Sequence, residues 1–179
     1  MPIVLILALF LVVLFSGCLT ESQAVAKKSS SYVKNQSNQE VQNDLLKTVT
    51  HASVISQSAN WDADTENDGL VIYPDLLDSN NETVEFEGIN LTVDIEIWTL
   101  KMNNDFKEVK DRLVYSGTGE IDSWKDGNPF YSGGITIPYK DIKTVESDNS
   151  SGLLFVKIKL PDGRVMEAKE DFGVIIKAE

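Results

Sequence analysis

The strongest constraint on this chain is the run Asn90 to Leu100, N-L-T-V-D-I-E-I-W-T-L. Leu91, Val93, Ile95 and Ile97 alternate with Thr92, Asp94 and Glu96. Side chains of a strand point alternately to its two faces, so this run buries one face and wets the other. Such a strand needs sheet neighbours and a facing layer, as in an antiparallel sheet packed on a core through one side. The chain supplies candidates. Leu154, Val156, Ile158 and Leu160 alternate with Lys157 and Lys159, and Pro161-Asp162-Gly163 turns that run back into Arg164 to Lys169. Ile135, Ile137 and Tyr139 share a face, with Pro138 marking an edge position. Shorter patterns place Val109, Leu113 and Tyr115 on one face, Ile55, Ala59 and Trp61 on another, Leu70 and Ile72 on a third, and a last strand at Gly173 to Lys177. Seven or eight short strands predict an all-β fold, an immunoglobulin-like or transthyretin-like antiparallel β-sandwich over residues 52–179.

Residues 1–18 read differently. The first 17 residues carry no charge, and Ile3 to Phe15 is a continuous apolar run of 13 residues. A membrane-spanning helix takes about 20. The run matches the apolar centre of an export signal without its usual basic start. It ends in Ser16-Gly17-Cys18, which resembles a lipoprotein signal whose cysteine is lipidated and becomes the new N-terminus; Phe15 stands where an aliphatic residue is usual. Cys18 is the only cysteine, so no internal disulfide can form, and lipidation accounts for a lone thiol in an exported chain. The expected location is the extracytoplasmic face of the cell membrane, with the lipid as the membrane contact. The other reading is an uncleaved anchor with a free thiol. Four Asn-x-Ser/Thr acceptor patterns, at Asn35, Asn81, Asn90 and Asn149, suit an exported chain. Residues 19–51 are Ser, Gln, Asn and Lys-rich at first and read as a flexible linker. Ser37 and Glu40 then form a capping box ahead of Val41, Leu45, Val49 and Ala52, whose spacing predicts a short helix near 38–50.

Between two predicted strands lies an acidic loop. Asp62, Asp64, Glu66 and Asp68 alternate and Gly69 follows, with Asp75 six residues beyond. From Asp64 these fall at positions 1, 3, 5, 6 and 12 of a calcium loop of EF-hand type, and calcium takes six to eight oxygens. An apolar β-like run, Leu70 to Tyr73, stands where an EF-hand needs a helix. Two readings remain: a calcium-holding hairpin loop, or a solvated turn in which Asp and Asn act as turn formers. The residues Trp61-Asp62-x-Asp64, Asp68-Gly69-Leu70, Asp78 and the Leu91 to Trp98 strand resemble a β-sandwich module of archaeal and some bacterial surface lipoproteins. The resemblance would cover residues 52–177. It implies a location and a fold, and no defined activity.

The residue inventory removes much chemistry. One histidine, His51, and one cysteine leave no Ser-His-Asp or Cys-His mechanism and no ordinary zinc site. Neither phosphate-cradling glycine motif is present. A formal net charge of −12 argues against nucleic acid. Paired carboxylates could hydrolyse glycosides, given two acids at suitable separation. The segment Asp122 to Gly134 carries Trp124, Phe130 and Tyr131 among Gly, Asn and Asp, which suits a sugar or peptide site on a loop, or a plug over one end of the sandwich. The expectation is therefore a non-enzymatic, lipid-anchored envelope protein contacting another protein or a glycan, with a small carboxylate-dependent hydrolase of envelope glycan as the alternative.

Overall fold

The computed structural model describes residues 38–62 and 64–177. Cys18, Asn35 and the signal and early linker lie outside them. The chain divides into two compact units, Met1–Glu40 and Val41–Glu179. Of the first, only residues 38–40 are described, as helix.

The second unit is an all-β sandwich of eight strands: β1 (His51–Ala59), β2 (Gly69–Leu77), β3 (Glu87–Met102), β4 (Glu108–Ser123), β5 (Ile135–Pro138), β6 (Ser151–Lys159), β7 (Val165–Lys169) and β8 (Val174–Ile175). One sheet has the order β1-β2-β5 and the other β4-β3-β6-β7, with β8 also paired to β6, and every pairing is antiparallel. The chain crosses between sheets after β2, β4 and β5. This is an immunoglobulin-type strand order, with β1, β2 and β5 in the places of A, B and E and β3, β4, β6 and β7 in those of C, C′, F and G.

The core lies between the sheets. Val93, Ile95 and Ile97 of β3 face Ile158, Val156 and Leu154 of β6 across the register, and with Leu91 all seven are at most 1% exposed. The alternation read in these two strands is the pattern observed. Fully burying such a side chain contributes about 1.5–3 kcal/mol, so this seam dominates the cohesion of the larger sheet.

Elsewhere tertiary packing overrides the local pattern. In β1 the buried residue is Val54, while Ile55 is exposed and Trp61 lies beyond the strand. Strand β2 is buried on both faces, because Leu70, Ile72 and Leu76 face the core and the segment Trp124 to Gly134 lies over the other side. The helix ends at residue 47, with Val41 and Leu45 exposed and Leu46 and Val49 buried. Its inward face is thus displaced from the predicted one. Leu46 and Val49 belong to the core, ahead of residue 52 where the sandwich was expected to begin. Arg164 fixes this entry by donating from Nη1 to the Val49 carbonyl at 2.6 Å and from Nη2 to that of Leu46 at 2.8 Å.

Candidate functional site

The acidic loop is built by its own carboxylates. Asp62 Oδ1 accepts from the Asp64 N–H at 3.2 Å, Asp64 Oδ1 from the Glu66 N–H at 2.8 Å, and Asp68 Oδ2 from the Trp61 N–H. The first two are Asx-type turns, in which a short side chain caps the backbone two residues on, and the third ties the two ends of the loop together. Asp75 does not join them. It lies opposite Ser53, whereas the loop leaves the ladder at Ala59, about 20 Å away along the strands. Its carboxylate accepts from Thr83 Oγ1 at 2.8 Å, and burial pushes its pKa up. Among the described residues no three His, Cys, Asp or Glu are grouped to hold a metal ion. Gly69, read as the sharp-turn glycine of a calcium loop, opens β2 without a positive φ. A Cβ there would stand 2.3 Å from the Ile137 carbonyl oxygen and 2.6 Å from the Trp61 ring. Close packing, not a turn, requires it.

Of the three loop aromatics, Trp124 and Tyr131 meet and Phe130 stands apart. Trp124 packs down on the core, and its backbone N–H donates to the Phe86 carbonyl at 3.0 Å. Tyr131 meets it edge-on at 5.2 Å between ring centroids. Phe130 is 93% exposed. Trp124 is therefore a structural anchor, and no shared aromatic platform forms. Of the acceptor asparagines, Asn81 and Asn149 sit in exposed turns, and Asn90 is exposed on β3 with its amide on Glu120 Oε2 at 2.9 Å.

Another region, among the described residues, carries surface relief. Three depressions border β4. One, of about 490 Å³, is lined by Asn90, Glu120, Asp122 and Asp126. A second, of about 410 Å³, lies on the solvent face of the sheet against Ser116, Thr118, Phe155 and Lys157. The third, of about 220 Å³, involves Leu113, Tyr115, Asp141 and Lys143. Beside the second, the Lys110 ammonium sits 3.7 Å from the Phe155 ring centroid and 4.7 Å from that of Trp98. Trp98 Nε1 donates to Glu96 at 3.0 Å; that bond, aided by the Lys110 charge and opposed by burial, lowers the Glu96 pKa.

Sequence reading missed this region because Ser116-Gly117-Thr118-Gly119-Glu120 looks like turn sequence. Its signal was the regular placement of Ser116, Thr118 and Glu120 at alternate positions leading into buried Ile121.

The carboxylates in the first depression have structural duties. Asp126 Oδ2 accepts from the N–H groups of Asp122 at 3.0 Å and Ser123 at 3.2 Å, and Glu120 accepts from Asn90. Comparison with protein-family models, curated proteins and solved structures finds no match for this chain. The likeness to surface-lipoprotein modules therefore rests on the residues quoted for it alone.

Proposed function

We propose that this protein is a non-enzymatic interaction module, held at the extracytoplasmic face of the cell membrane by a lipid on Cys18, which contacts an envelope protein or glycan through the surface around β4. The observation that carries the reading is that all three depressions described above border this one strand. Binding sites favour concave relief with a few polar groups, and these three depressions lie along one strand of a rigid sheet.

The hydrolase alternative has less behind it. A general acid is recognised by a raised pKa within a cleft. Among the described residues the carboxyls raised by burial are Asp75 and Glu170, and neither lines any of the three depressions. Each is satisfied by a hydroxyl, from Thr83 and Ser56 respectively.

Two measurements test the proposal. Mass spectrometry of the protein from its native membrane should find a chain beginning at an acylated Cys18; an intact leader with an unmodified thiol would remove the anchor. A photo-crosslinking residue at position 118, in intact membranes, should give adducts that one at position 53 does not. Equal or absent labelling at 118 would remove β4 as the contact surface.

A further inference from the structure

Sheet edges expose unpaired N–H and C=O groups that another chain can pair with, and soluble proteins usually block them. Three of the edges here are short, broken or interrupted. On β1, the N–H of Ser56 donates to Glu170 Oε1 at 2.9 Å while its hydroxyl donates to Oε2 at 2.7 Å. Glu170, only 5% exposed, thus occupies the middle of that edge at Ser56 from the opposite sheet. The β5 edge is four residues long and ends in Pro138. The edge beside β6 is broken into β7 and β8, five and two residues long.

Strand β4 is different. It is 16 residues long and lies at the end of its sheet. Successive residues of a paired strand direct their backbone groups alternately toward and away from the neighbour. The Val114 carbonyl accepts from the Lys143 N–H at 2.8 Å on the side away from β3, and the Asp122 N–H reaches Asp126 on that side too. Ser116, Thr118 and Glu120, lying between, therefore present their N–H and C=O groups outward. Among the described residues no backbone bond from another element reaches them. The stretch Ser116 to Glu120 contains neither Pro nor Lys.

We propose that the open edge of β4 at Ser116–Glu120 receives an extended cationic polypeptide segment as an added strand. This rests on the reading of the β4 side as the contact surface, and adds the mode of pairing and the chemistry of the partner. The window spans about 17 Å, room for five strand residues. Alternate partner side chains would lie beside Ser116, Thr118 and Glu120 on the solvent face. The others would lie beside Gly117, Gly119 and the apolar Ile135, whose methyl group comes within 2.6 Å of where a Gly119 Cβ would stand. Charge selects the partner. Glu120, Asp122 and Asp126 meet at one end of the window, and among the described residues none of them forms an ion pair. A second copy is disfavoured on the same ground, since a chain of formal net charge −12 repels its like. Backbone bonds would supply affinity and the alternating side chains specificity, as in other strand additions.

The test uses the full-length chain in detergent and a synthetic seven-residue peptide of alternating Lys and Val, read by hydrogen exchange. The peptide should slow exchange at Ser116, Thr118 and Glu120, and added salt should weaken it. N-methylation at its edge-facing positions should weaken binding at least about tenfold, because each methyl removes a backbone hydrogen bond; this control makes no demand on the protein's folding. A Glu–Val peptide should not bind. Absence of Lys–Val binding at about 1 mM, the weakest affinity such a contact is expected to show, overturns the inference. So does binding without protection of those amides, although that result leaves the contact surface standing. An edge already protected without peptide also overturns it, and dependence on protein concentration then separates a second copy from cover by the chain itself.

Discussion

At the scale of single residues, Glu170 carries the clearest consequence of burial. Its carboxyl is removed from water and its pKa is raised; the two Ser56 bonds, which favour the charged form, offset this only in part. A carboxyl whose folded pKa exceeds its unfolded value binds more protons in the native state, so its contribution to stability declines as pH rises from 4.5 through the native value. In urea titrations at several pH values between about 4 and 7, the stability of wild type minus that of Glu170→Gln should therefore fall with rising pH. A difference that rises with pH would mean the native carboxylate is favoured, not penalised. Gly69 gives a second prediction. Gly69→Ala must displace the Ile137 backbone or the Trp61 ring, and such overpacking costs about 1–3 kcal/mol. A urea midpoint unchanged by Gly69→Ala would show that this contact relaxes freely.

At the scale of elements, what the sequence made legible depended on whether one residue pattern alone determined the outcome. β3 and β6 are long, alternating and central, so Ile97 and Leu154 could be placed inward without knowing their neighbours. β1 could not be read so, because Val54 and Ile55 are adjacent apolar residues and only the facing sheet decides between them. The second half of β4 was hidden by Gly117 and Gly119, which look like turn formers. One accommodates the Tyr115 ring and the other the Ile135 side chain. The calcium site was suggested by spacing along the chain, but a β-ladder sends Asp75 away from the loop where a helix would have curled it back. The acids that remain accept backbone N–H groups of the loop, which yields a prediction. Asp68→Ala, by removing the acceptor for the Trp61 N–H, should lower the melting temperature, and calcium should raise it in neither protein. A calcium-dependent rise in wild type that Asp68→Ala abolishes would assign a metal to the loop.

At the scale of the whole molecule, the sandwich closes its edges unequally. A buried acid, a proline-ended short strand and a broken strand pair guard three of them, while β4 is left open over five residues beside the surface relief. This asymmetry links fold to proposed function, since a rigid sheet with one unguarded edge is a template for a partner chain. It is also measurable without any partner. Residue-resolved hydrogen exchange on the unliganded full-length chain should find the Ser56 amide protected, held by Glu170, and the Thr118 amide exchanging orders of magnitude faster. Equal protection at Ser56 and Thr118 would contradict the account, because the β4 edge would then be closed like the others.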